Sequence, residues 1–140
     1  MITFHIEKKG FKLAHKLKLK SWIKSVIATH SQQLSELNYI FVSDEELYQI
    51  NLERLQHNYY TDIITFYYHA ENQPIMSDIY ISVDRVAENA KDLGANVEDE
   101  LHRVMIHGVL HLLGFDDHGE TNAKEMRNKE DVALAMRNFL

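Results

Sequence analysis

Apolar and polar residues alternate from Ile2 to Ile6, the two-residue period of a half-buried strand. A lysine-rich stretch comes next, and then the period changes. Leu19, Trp22, Ile23, Val26 and Ile27 recur at i, i+3, i+4, i+7 and i+8, which predicts a helix with one buried face and with Lys16, Lys20 and Lys24 on its wet side. Asn38 to Ser43 reads as a second strand. Ser43-Asp-Glu-Glu46 has the form of a capping box, so a helix is predicted from there to about Leu55. Asp62-Ile-Ile-Thr-Phe-Tyr-Tyr68 and Asp78-Ile-Tyr-Ile-Ser-Val83 are rich in β-branched and aromatic residues and predict two further strands, with Glu71-Asn-Gln-Pro74 as the turn between them. Val86 to Leu93 predicts a short helix closed by Gly94. Asn96 can cap the next helix, whose first turn holds Glu98, Asp99 and Glu100 against the positive end of the helix dipole. A last helix is predicted over about Thr121 to Asn138, with Met126, Val132, Ala133, Met136 and Phe139 as its apolar contacts.

These elements predict an α+β fold: a single domain over 1-140, with a small mixed sheet of about four strands packed with about five helices. The length and a hydrophobic content of 45% suffice for a real core. No apolar run reaches membrane-spanning length, and the first residues lack the apolar stretch of a signal peptide, so a cytoplasmic protein with no membrane partner is expected. The absence of cysteine excludes disulfides and thiolate ligands, which leaves nitrogen and oxygen as the donors for any metal. The formal net charge of −6 argues against a generally basic nucleic-acid binder. Its distribution changes the picture. Lys8, Lys9, Lys12, Lys16, Lys18, Lys20 and Lys24 face only Glu7 within the first thirty residues, a basic end on an acidic body. Such an end suits contact with phosphate through one surface; the plainer alternative is a solvated helix face.

The candidate chemistry lies in His107-Gly-Val-Leu-His111-Leu-Leu-Gly114-Phe-Asp-Asp117-His118. Four residues apart on a helix, His107 and His111 leave the same face one turn apart and can grip one ion. Gly114 is free to take positive φ, end the helix and turn the chain back. The next polar group, at an offset of ten from His107, is Asp117, and His118 comes directly after it. Either completes a three-ligand site, and a zinc ion held by three protein groups keeps one position open. In metalloproteases of the zincin type a glutamate follows the first histidine and serves as base. Gly108 stands there instead, which removes the usual peptidase mechanism and is expected to leave the backbone open to a large substrate. Asp62, Asp78 and Asp116 are further acids with competing structural uses such as capping or orienting an imidazole. His102 faces elsewhere on its helix.

With His107-Gly-x-Leu-His111-Leu-x-Gly114 and Thr61-Asp-Ile-Ile-Thr-Phe66 both in place, the chain resembles the YbeY family of bacterial endoribonucleases. Asn51, Asp78-Ile79 and Glu125-Met126 extend that resemblance over most of the length. It implies a zincin-like metal-binding helix and a metal-dependent RNase, usually assigned zinc. It implies a role in maturing ribosomal RNA, notably that of the small subunit, and in ribosome quality control, with rRNA and the ribosome or ribosomal proteins as partners and no DNA. Two positions depart from the family. A third histidine is usual at offset ten, where this chain has Asp117, with His118 one residue late; a carboxylate is a competent zinc ligand, so the expected metal ligands are His107, His111 and Asp117, with His118 as the alternative third. A basic residue is usual where this chain has Leu55, and its neighbour Arg54 is the candidate to replace it. The expected catalytic residues are therefore His107, His111 and Arg54, with Lys16, Lys20 and Lys24 binding substrate. A zincin-like peptidase or other small-substrate hydrolase, and a non-enzymatic ribosome-associated module with a structural metal, are the alternatives.

Overall fold

Tyr39-Ile40-Phe41-Val42 shows no alternation because both faces of its strand are covered: Tyr39 and Phe41 join the larger core, and Ile40 and Val42 the smaller one behind it. The computed structural model describes residues 1–140. In chain order the elements are β1 (Ile2–Ile6), α1 (Lys16–Thr29), β2 (Leu34–Val42), α2 (Asp44–Leu55), β3 (Ile63–Tyr67), β4 (Ile75–Ser82), α3 (Val83–Leu93), α4 (Val97–Leu112) and α5 (Glu120–Ala135). The four strands make one mixed sheet in the order β1-β2-β4-β3. Parallel pairing joins β1 to β2 and β2 to β4, and β3 runs antiparallel to β4 at the edge. The α+β class, the four strands and the five helices agree with the sequence reading.

Strand parity assigns the two faces. Leu37, Tyr39, Phe41, Ile75, Ile79 and Ile81 pack with the buried sides of α1 and α4, whereas Ile40, Val42 and Ile64 pack with Leu47 of α2. Two buried hydrogen bonds tie the larger core across elements. The Tyr39 hydroxyl donates to the Met105 carbonyl at 2.9 Å, and the Trp22 indole donates to the Ala133 carbonyl at 2.8 Å. Each satisfies a polar atom that would cost free energy if buried alone.

The capping box at Ser43 and the Asn96 cap form as read, with their side chains accepting from Glu46 and Asp99 backbone N–H groups. Several boundaries differ. β2 begins at Leu34 rather than Asn38, and its pairing with β4 shifts register between Leu34 and Glu36, a bulge that hides the strand period there. β4 begins at Ile75 and stops at Ser82. The Ser82 side chain accepts from Arg85 N–H, so strand passes into helix with no loop, and α3 begins at Val83 rather than Val86. The final helix runs from Glu120 to Ala135, and two of its expected apolar contacts fail. Val132 is 64% exposed and Met136 37%, because the buried face passes through Met126, Glu130 and Ala133.

His102 does face away from the other helix histidines, into the core. It is 1% exposed, between Trp22 and Phe139, with the Arg137 guanidinium donating to its Nδ1 at 2.7 Å. Burial first, then the Arg137 charge, lowers its pKa from 6.5 to about 4. The unfolded chain therefore binds a proton there that the folded chain refuses, so this contribution to stability is present above about pH 6.5 and is lost as pH falls towards 4. The full effect is about 3 kcal/mol. Urea unfolding at a series of pH values should show a shallower loss of stability between pH 6.5 and 4 for His102→Gln than for the parent chain.

Candidate metal centre

His107 and His111 stand on the last two turns of α4, at the rim of its buried face. α4 is set against the sheet at Gly108. A Cβ placed there would lie 2.9 Å from Ile79 Cδ1 and 3.0 Å from Ile63 Cδ1. The expectation that Gly108 opens the backbone to substrate is thus corrected: the glycine is buried and permits close packing of helix on sheet. A glutamate at this position would point into the core.

The helix ends in a Schellman motif. Gly114 has φ 101°, its N–H donates to the His111 carbonyl at 3.0 Å, and Phe115 N–H donates to the Leu110 carbonyl at 3.0 Å. The chain then returns alongside the helix, and Asp116 shapes the next two residues. Its Oδ1 accepts from the backbone N–H groups of Asp117 and His118, at 2.8 and 3.1 Å, and pairs with His118 Nδ1 at 2.6 Å. Those His118 hydrogen bonds hold the Asp116 carboxyl below its usual range.

Three of the predicted residues converge. His111 Nε2 lies 3.1 Å from His107 Nε2, and Asp117 Oδ2 lies 3.3 Å from the first imidazole and 3.5 Å from the second. These three side chains can hold a metal ion. Four-coordinate zinc with bonds of about 2.0–2.1 Å separates its ligand atoms by about 3.3–3.4 Å, so the donor spacing fits such an ion. His118 does not join them; its side chain is 90% exposed and turned to Asp116.

Sequence reasoning missed Glu130. Its Oε2 accepts from His107 Nδ1 at 2.6 Å, its Oε1 accepts from Arg103 at 2.8 Å, and Arg103 also reaches Asp131 at 2.7 Å. Carboxylate to Nδ1 fixes the imidazole tautomer and leaves Nε2 directed at the other two donors. Burial works against charge on both partners, but their mutual contact, with Arg103 beside Glu130 and Asp117 and Asp62 near His107, outweighs it: His107 is held above the usual imidazole range and Glu130 below the usual carboxylate range. One signal was available. Glu130 is four residues after Met126 and three before Ala133, which places a carboxylate on the apolar stripe of α5.

A cavity of about 150 Å³ adjoins His107, lined by Asp62, Glu100, Arg103, Arg127 and Glu130 among others. Burial raises the Asp62 carboxyl above its usual range. Asp78 has a structural partner, accepting from Asn38 at 3.0 Å. Arg54 is not brought to the imidazoles. Its guanidinium stacks 4.1 Å from the Phe66 ring, and Phe66 packs on the α2 face of the sheet. Lys16 and Lys24 are exposed on α1, and Lys20 lies over the Phe4 ring at 5.7 Å. Phe4 is on β1 and Ile63 on β3, so three strand spacings, about 14 Å, separate that lysine from the helix-packed edge.

The fold and these donors define a class: an α+β domain whose helix, glycine turn and returning loop bring two imidazoles and a carboxylate together as a group that could hold a metal ion. The family model described as Endoribonuclease YbeY matches residues 3–138. Proteins of that name from Bacteroides thetaiotaomicron and Cytophaga hutchinsonii are each 43% identical, over 97% and 99% of this chain and 98% and 96% of their own. The solution structure of a Thermotoga maritima protein superposes with a TM-score of 0.70 at 32% identity, covering 96% of this chain and 87% of that one. The chain belongs to the YbeY endoribonuclease family.

Two outcomes are expected. Asp117→Ala should lower metal affinity by orders of magnitude, as should His107→Ala or His111→Ala, whereas His118→Ala should have little effect and Asp117→His should restore binding; titration against a chromophoric chelator reads each. Glu130→Ala should weaken the same affinity about 10- to 100-fold while Asp131 still holds Arg103. Affinity unchanged in that variant would show Glu130 to be only a core ion-pair partner.

Proposed function

We propose that this protein is a zinc-dependent endoribonuclease that cleaves single-stranded segments of ribosomal RNA, notably small-subunit RNA, during maturation and quality control of the ribosome in the cytoplasm. The observation that carries the reading is the triangle of His107, His111 and Asp117 donors, with sides of 3.1, 3.3 and 3.5 Å, in a chain of this family. Held by these three side chains, zinc would acidify a bound water and stabilise charge on a phosphoryl oxygen. His107 and His111 would offer their Nε2 lone pairs to it, and Asp117 a carboxylate oxygen. Glu130 keeps His107 in the required tautomer. The reaction is in-line displacement at an RNA phosphodiester.

The basic end serves the same reading at a distance. Lys16, Lys20 and Lys24 form no salt bridge with this chain's own acids, unlike Lys8, which pairs with Asp84 at 3.4 Å. They contact phosphates of an RNA long enough to span from the β1 side to the histidines. Arg54, stacked on Phe66, meets RNA only if the strand also crosses the α2 face. A peptidase reading lacks the glutamate that Gly108 replaces. A structural-metal reading needs a fourth ligand, and His118 is bonded to Asp116 instead.

The test is cleavage of a ribosomal RNA fragment by the metal-loaded protein. Activity should disappear with a chelator, return with zinc, and be lost in His111→Ala. In the same assay, neutralising Lys16, Lys20 and Lys24 together should flatten the dependence of log affinity on log salt, by up to about three phosphate contacts. An RNA left intact by the zinc-loaded chain would sink the enzyme reading, and an unchanged salt slope would make the lysines a solvated face.

A further inference from the structure

β3 is one of the two edge strands of the sheet, and alternate residues along it point to the α4 face: Ile63 packs against Gly108, and Tyr67 comes two pleats further on. Ile63 is covered by the helix. Tyr67 is not; it is 53% exposed, although a large aromatic side chain on the inner face of a sheet is normally buried. The same strand also leads from the site: Ile63 at its start lines the cavity that His107 lines, and β3 packs along α4. The Tyr67 phenol is raised above its usual range, by burial first and then by the charge of Asp117.

His69 stands beside Tyr67, with ring centroids 6.1 Å apart and planes inclined by 33°. Its Nδ1 accepts from Met76 N–H at 3.1 Å, which fixes the imidazole against the neighbouring strand. A half-exposed phenol ring flanked by a fixed imidazole, on an edge strand packed along the helix that carries His107 and His111, offers an aromatic surface to solvent. Unpaired bases of single-stranded RNA stack on such surfaces, and stacking tolerates any base because every base has a π face.

We propose that Tyr67, braced by His69, is the platform on which a nucleobase adjoining the cleaved phosphate stacks, so that it selects unpaired over double-helical RNA. This rests on the endoribonuclease reading above. A base inside a duplex is already stacked on its neighbours and cannot reach the ring without being unpaired. Tyr67 is a substrate-binding residue in this assignment and takes no part in proton transfer.

The experiment uses the full-length, zinc-loaded protein and a short oligoribonucleotide carrying 2-aminopurine, whose fluorescence is quenched on stacking. Tyr67→Ala should weaken binding about 5- to 100-fold, abolish the quench and raise KM more than it lowers kcat. Tyr67→Phe and Tyr67→Trp should keep binding and quench, and zinc content should be the same in all four proteins. A parent protein that quenches but cuts nothing would overturn the nuclease reading and leave the platform standing. A parent that cuts RNA while Tyr67→Ala binds and quenches equally well would overturn the platform alone. Loss in Tyr67→Phe equal to that in Tyr67→Ala would overturn it too, by assigning the role to the hydroxyl. Sedimentation supplies one more outcome: a dimer in the parent that Tyr67→Ala makes monomeric, with RNA affinity unchanged, would make this edge a self-association surface and overturn the proposal.

Discussion

The close approach of α4 to the sheet at Gly108 sets the rest of the architecture. A helix is normally held off a sheet by the side chains between them; here the missing side chain lets Ile79 and Ile63 rise to the helix backbone. Ile106, Val109 and Leu110 are buried on either side of that contact, so the helix cannot rotate without exposing them. Rotation fixed in this way leaves His107 and His111 at the rim, half-buried, with enough room for a third group. Such burial is where rigid orientation of a ligand is cheapest, because packing has already removed the freedom of the backbone that carries it.

The charges beside that helix are held by one another. Glu130 is 5% exposed, and a carboxylate so placed would be expensive without partners. It has two, His107 and Arg103, and Arg103 is shared with Asp131. The network joins α4 to α5 through ionic hydrogen bonds at the same place where the apolar stripe of α5 meets the core through Met126 and Ala133. Its value for stability alone is small, since apolar residues of the same shape would pack as well. What it adds is orientation: a histidine whose Nδ1 is occupied has one nitrogen left to offer.

The loop after α4 shows a side chain choosing between neighbours. Asp117 and His118 are adjacent and both are competent ligands, yet only Asp117 turns to the imidazoles. Asp116 decides this by accepting from both following backbone N–H groups and from the His118 ring. A short polar side chain has bent the backbone, and the bend has selected the donor.

Much of this was legible along the chain because it depends on local periodicity. The amphipathic stripe of α1, the Ser43 capping box, the Asn96 cap, the His107/His111 pair and the turn at Gly114 all involve residues within one or two helical turns, where backbone geometry alone sets neighbours. The family resemblance rested on the last two of these together with the strand segment Thr61 to Phe66. Other features required the tertiary structure. Gly108 reads as an open backbone until a strand from elsewhere in the chain is laid against it. Val132 reads as core until α5 is rotated to bury Glu130. Arg54 reads as a neighbour of the site until the sheet places it on the other face. Asp117 is the favoured third ligand, with His118 as its alternative, until Asp116 folds the loop and settles the choice, and Tyr67 is an ordinary strand tyrosine until β3 is seen to be an edge strand packed along α4. In each case the deciding contact joins separate elements or depends on the path of a loop, and a one-dimensional pattern carries the period of an element but not its rotation or its neighbours.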